Sequence, residues 1–79
     1  MFYVYILYSP SLDVYYKGFS EDVEKRLDYH LSGIHKYTSA AKDWEIVYMK
    51  AFVSKTDALK EEKRLKKLNR RSLIRLIDN

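Results

Sequence analysis

Phe2 to Tyr8 is an unbroken run of seven apolar and aromatic residues. It is too short for a buried helix and rich in β-forming side chains, so it predicts a central strand. Ser9-Pro10-Ser11-Leu12-Asp13 follows as a turn, because Pro10 cannot continue a strand ladder. Val14 to Phe19 is a second β-prone run, and the short connection makes the two an antiparallel hairpin. Alternation along the first strand puts Tyr3 and Tyr5 on one face and Phe2, Val4 and Ile6 on the other. Gly18, near the end of the second strand, marks a bulge or a place where another group approaches the backbone.

The rest of the chain supplies helices and one more strand. Ser20, followed by Glu21, Asp22 and Glu24, reads as a hydroxyl cap with acidic residues at the positive end of a helix dipole. That helix runs to about Leu31, with Gly33 as its stop. A polar connection from Ser32 to Asp43 is long for so small a domain, and long loops in small domains are often functional. Trp44 to Phe52 is a third strand. Ser54-Lys55-Thr56-Asp57 is a capping sequence that opens a helix from about Lys55 to Leu68, and Asn69 to Asp78 forms a short last helix with Leu73, Leu76 and Ile77 inside. The expected architecture is α+β: a three-stranded antiparallel sheet flanked by helices, in the order β-β-α-β-α-α, forming a single domain over residues 1–79.

Composition narrows what such a domain does. There are no cysteines, which removes disulfides, thiolate zinc sites and cysteine nucleophiles together. The longest apolar run is far short of the ~20 residues of a membrane helix, and nothing resembles a leader, so a soluble cytoplasmic protein with no membrane partner is expected. Residues 1–40 carry four basic and five acidic groups, whereas 41–79 carry eleven and six, giving net charges of −1 and +5. Between Lys60 and Arg71 seven residues are basic and two acidic. A polyanion facing the second half fits this asymmetry, and so does a solvated basic face.

Three features depart from an ordinary core. On the first helix Val23, Leu27, Leu31 and Ile34 make an apolar stripe that includes His30, with Arg26 at its edge. Arg26 and His30 are four residues apart, so both reach one phosphate or one carboxylate, or they are simply solvated and satisfied side chains. On the second helix Glu62 shares a face with Ala58, Leu59 and Leu65, whereas Glu61 rotates toward solvent. A carboxylate on an apolar face must be paired, protonated or bound to a metal; Arg26 or a lysine of the neighbouring helix is the alternative to an ion. Finally, five of the eight tyrosines, Tyr3, Tyr5, Tyr8, Tyr15 and Tyr16, lie in the first hairpin.

Taken together, Tyr3-Val4-Tyr5, Tyr16-Lys17-Gly18, Arg26-x-x-x-His30 and Glu62 resemble the successive motifs of the GIY-YIG nuclease superfamily. The likeness covers nearly the whole chain and is closest to small single-domain members, extending to Lys36-Tyr37-Thr38 and to the run from Ala58 to Lys67. Tyr3 stands where the name motif has Gly, Lys17 stands where it has Ile, and no residue matches the polar group, often Asn, that follows the glutamate in several active members. The resemblance implies metal-dependent hydrolysis of a DNA phosphodiester, as in repair incision, with Mg²⁺ or Mn²⁺ as cofactor. It makes Tyr5, Tyr16, Arg26 and His30 the catalytic candidates and Glu62 the metal ligand.

The chemistry accounts for these residue types. Glu62 suits a hard divalent ion that keeps most of its waters, Arg26 stabilises charge at phosphorus, and Tyr5, Tyr16 or His30 takes a proton from water. Lys36, Lys63, Lys66, Lys67, Arg70 and Arg71 are expected to hold the flanking backbone without reading bases. A chain this small leaves nonspecific or structure-selective cutting, or guidance by a larger protein partner. A module that binds nucleic acid with weak or no cleavage is the alternative reading.

Overall fold

The first strand, β1 (Phe2–Ser9), lies in the middle of a sheet whose order is β2-β1-β3 in a computed structural model that describes residues 1–32 and 38–78. Its neighbours β2 (Val14–Ser20) and β3 (Glu45–Phe52) both run antiparallel to it. The helices are α1 (Val23–Leu31), α2 (Lys55–Lys67) and α3 (Arg70–Asp78), so the expected fold class and element order hold. Gly33, Ile34, His35, Lys36 and Tyr37 lie outside the described residues, and with them the helix stop at Gly33 and the backbone contact expected of Lys36.

Alternation in β1 builds two separate cores. Val4 and Ile6 pack beneath α2 and α3 with Ala58, Leu65 and Leu73, and Phe2 joins at the edge. Tyr5 and Leu7 point the other way, into a cluster with Val23, Ala41 and Trp44 that Leu27 and Leu31 of α1 complete. Leu65 is fully buried, so its replacement by alanine would cost about 2–5 kcal/mol through lost transfer energy and a residual cavity.

Local chemistry corrects several expected boundaries. Ser20 is still a strand residue, paired with Tyr3, and its hydroxyl is engaged with the backbone of Asp22. Asp22 therefore caps α1 in its place, accepting from the Lys25 backbone N–H at 3.1 Å, a role its ionised carboxylate fills well beside the positive helix end. Trp44 precedes β3 and is buried, because its indole N–H donates to the Thr38 carbonyl at 2.9 Å. Ser54 caps α2 as expected. Asn69 caps α3 from outside it, accepting the Ser72 N–H at 2.9 Å.

Two polar clamps fix the β1–β2 turn. Asp43 accepts from the Ser9 hydroxyl at 2.6 Å and the Ser11 N–H at 2.8 Å, tying the segment before β3 to the hairpin. Asp13 sits at the left-handed φ of 53°, which an aspartate tolerates better than most residues. Its carboxylate accepts from the Tyr8 hydroxyl at 2.7 Å and from Arg70, whose guanidinium also lies over the Tyr15 ring. The hydrogen bonds from Tyr8 and Arg70 hold the Asp13 carboxyl below its ordinary range.

Candidate active site

The site is built on the tyrosine face of β1. Tyr5 pairs across the ladder with Gly18, and Leu7 pairs with Tyr16, so Tyr5 and Tyr16 are diagonal neighbours on one face. The rings are 6.5 Å apart between centroids. Gly18 resolves as the close-approach alternative: a β-carbon there would overlap Cζ and Oη of Tyr5, so only glycine leaves room for the ring. The irregularity in the sheet lies elsewhere, in the β1–β3 pairing between Ile6 and Leu7.

Helix α1 delivers His30 to this face. Its imidazole is fully buried, with Nε2 3.2 Å from the Tyr5 hydroxyl and Nδ1 2.9 Å from the Thr38 hydroxyl, and its ring centroid is 4.8 Å from that of Tyr16. Arg26, one turn earlier, lies with its guanidinium carbon 4.9 Å from the Tyr29 ring centroid and close to the Tyr5 hydroxyl. Its Nε is buried and has no acceptor among the described residues. An unsatisfied buried donor costs about 1–3 kcal/mol, and such groups recur where a ligand supplies the missing acceptor.

The electrostatics converge on Tyr5. Burial raises the phenol above its ordinary range; the neighbouring Arg26 opposes this, while Tyr16 and the Glu62 carboxylate add to it. Tyr5 is thus a protonated hydroxyl at neutral pH, within the fields of both Arg26 and Glu62.

The two glutamates of α2 differ from the sequence expectation. The buried line of α2 runs from Ala58 to Leu65, and positions 61 and 62 flank it on either side, while Leu59 is 40% exposed. Glu61 is therefore not turned to solvent: its side chain is 10% exposed against 19% for Glu62. It accepts from Arg64 at 2.6 and 3.0 Å and from the Tyr48 hydroxyl at 3.3 Å, and Arg64 holds its carboxyl below the usual range. Among the described residues Glu62 pairs at 3.8 Å with Lys66, one turn further along its own helix, and not with Arg26 or a lysine of a neighbouring helix.

The basic residues separate accordingly. Lys63, Lys67 and Arg71 are exposed along α2 and α3, Lys66 is paired with Glu62, and Arg70 is held by Asp13 on the hairpin side of the molecule. Thr38 is the contributor that sequence reasoning missed, whereas Glu61 anchors α2 to Tyr48 of β3 and is no member of the site. Thr38 lay in a quoted motif without a role, and no spacing pattern singles out a loop hydroxyl.

A buried phenol beside an imidazole, within the fields of a guanidinium and a carboxylate, is a set of groups chemically able to move a proton near an anion. The family model described as the GIY-YIG catalytic domain matches residues 1–75, spanning every element of this site, and the chain belongs to that family. The family is one of nucleases, typically dependent on a divalent metal and acting on DNA.

The chain is similar to the UPF0213 protein OB0043 of Oceanobacillus iheyensis, 38% identical over 96% of this chain and 88% of that protein. It is 34% identical to the UPF0213 protein SSP2268 of Staphylococcus saprophyticus over 95% and 92% of the two chains. The solution NMR structure of the UPF0213 protein BH0048 from Bacillus halodurans superposes with a TM-score of 0.64, at 36% identity, over 99% of this chain and 84% of that one. No helix among the described residues is long and apolar enough to cross a membrane.

Proposed function

We propose that this protein is a metal-dependent endonuclease that hydrolyses DNA phosphodiester bonds without reading base sequence, in DNA repair or processing. The observation that carries the reading is the buried contact of His30 with the Tyr5 hydroxyl beside the Arg26 guanidinium, with the Glu62 carboxylate bearing on the same phenol through its charge alone. Binding alone gives no reason to bury an imidazole against a phenol beside a guanidinium.

Tyr5 acts as a relay and not as a standing base. Its hydroxyl passes its proton to His30 Nε2 while its oxygen takes a proton from the attacking water, which forms the new P–O bond as hydroxide. The P–O3′ bond breaks, and the departing oxygen is protonated from solvent. Arg26 supplies fixed charge to the phosphoryl oxygens as negative charge builds on them, and Tyr16 packs the imidazole in place.

Glu62 would hold the divalent ion. Among the described residues no group of three or more His, Asp or Glu donors stands together, and a single carboxylate completed by water and substrate phosphate is a normal way to hold Mg²⁺. When bound, the ion supplies Lewis acidity at the phosphoryl group and stabilises the leaving oxygen. The DNA backbone is held by Lys63, Lys67 and Arg71, and by Lys66 where it exchanges Glu62 for a phosphate; Lys36 is assigned the same role from the sequence alone.

The test is a cleavage assay on duplex, branched and single-stranded DNA with Mg²⁺ or Mn²⁺. Cleavage by the native chain and its loss in folded Glu62→Ala and Arg26→Ala variants support the reading. Cleavage that survives both substitutions overturns it. DNA binding without cleavage of any substrate means the chain is a binding module.

A further inference from the structure

The buried hydroxyl of Thr38 has no part in the reading above, yet it touches the imidazole on the side away from Tyr5. Thr38 and His30 are both fully buried, and 2.9 Å separates Thr38 Oγ1 from His30 Nδ1. The threonine is itself anchored: Trp44 Nε1 donates to its carbonyl at 2.9 Å, and Asp43 ties the following segment to Ser9 and Ser11.

A neutral imidazole carries one N–H, so His30 donates from one nitrogen and accepts at the other. Arg26 is a donor-only group beside the Tyr5 oxygen and can present only N–H groups to it. The Tyr5 proton is therefore directed away from the guanidinium, and His30 Nε2, at 3.2 Å, is the acceptor it meets. That assignment leaves Nδ1 as the protonated nitrogen, donating to Thr38 Oγ1.

We infer that Thr38 is a positioning residue that fixes His30 in the Nδ1–H tautomer, keeping Nε2 bare and aimed at Tyr5 so that it can take the phenol proton. The inference rests on the nuclease reading for its purpose, although the tautomer itself does not. Without the hydroxyl, the buried Nδ1–H loses an acceptor, and the ring is free to shift its proton to Nε2. It would then present a donor to Tyr5 and could not accept the relayed proton. Partners that orient metal-bound histidines are typically worth roughly 10- to 100-fold in function, and an effect of the same order is expected where the oriented nitrogen takes a proton.

The experiment is a long-range proton–nitrogen spectrum of ¹⁵N-labelled full-length protein, above the ordinary histidine pKa of about 6.5 so that the ring is neutral. The chain has only two histidines, and a His35→Gln variant assigns them. Native His30 should show a protonated Nδ1 and an unprotonated Nε2. Thr38→Val, matched in shape, should move the proton toward Nε2 and lower kcat roughly 10- to 100-fold with little change in KM. Thr38→Ser should restore both. A native spectrum with the proton on Nε2, or a folded Thr38→Val protein with an unmoved spectrum, overturns the inference. If Thr38→Val does not fold by circular dichroism, the native and Thr38→Ser spectra decide. If no form of the protein cuts DNA, the nuclease reading fails while the spectrum still decides the role of Thr38.

Discussion

Tyr5 occupies the space that a side chain at Gly18 would need. The two residues face each other across the β1–β2 ladder, and a β-carbon at Gly18 would meet the Tyr5 ring at Cζ, Oη and Cε1, the last at 2.9 Å. Gly18→Ala should therefore push the phenol off His30. We expect a loss of about 1–3 kcal/mol in stability, as for other overpacked cores, and cleavage reduced toward that of Tyr5→Phe. Thermal melts and a cleavage time course check this; an alanine variant with native activity would show that the ring has room to retreat.

The glutamates of α2 should part company when each is changed to glutamine. Glu61→Gln should lower stability by up to about 1 kcal/mol near neutral pH, since its partners Arg64 and Lys50 are largely exposed, and should leave cleavage close to native. Because the folded carboxyl is held below its unfolded value, its contribution is present above the unfolded pKa and fades as pH falls through the folded one. Urea melts of the two proteins should thus converge in acid. Glu62→Gln should instead keep its melt and lose metal-dependent cleavage.

Alkaline conditions test Tyr5. Burial raises its folded pKa, so its contribution to stability is whole below the unfolded value of about 10 and is lost as pH rises through the folded one. Tyr5→Phe should flatten the alkaline decline measured by urea midpoints without abolishing it, because burial and then Glu61 also raise Tyr48. An identical decline in the variant would mean that Tyr5 ionises as freely folded as unfolded.

Salt dependence should separate the basic residues. Neutralising Lys63, Lys67 and Arg71 should each reduce the slope of log affinity against log salt by about 0.9 per lost phosphate contact on duplex DNA. Arg70→Ala should change the slope less and stability more, since its charge is already committed to Asp13. Titration of labelled duplex at several salt concentrations reads both. A full slope change for Arg70 would show that the clamp opens on binding.

What was legible in the sequence was what repeats with a period. The alternation of Phe2, Val4 and Ile6 against Tyr3 and Tyr5 is the division between the two cores, and Ser54 capped its helix as its spacing implied. Errors arose where two residues competed for one place. Ser20 and Asp22 both suit a cap, and strand pairing decided between them. Glu61 and Glu62 straddle one buried line, so rotation about α2 could not say which lies deeper until Tyr48 of β3 was placed against it. Thr38 meets His30 from eight positions further along the sequence, a contact that no helical or strand period announces.

The central position of β1 carries a consequence for how this protein could be altered. A slip of one residue in that strand would turn Tyr5 toward α2 and α3 and send Val4 or Ile6 to the imidazole, exchanging the two layers at once. Placing the tyrosine–histidine cluster and packing the opposite core are thus a single event. A mutational path that retunes the chemistry must preserve the packing beneath α2 and α3 at every step, and a truncated ancestor lacking those helices would have had neither half.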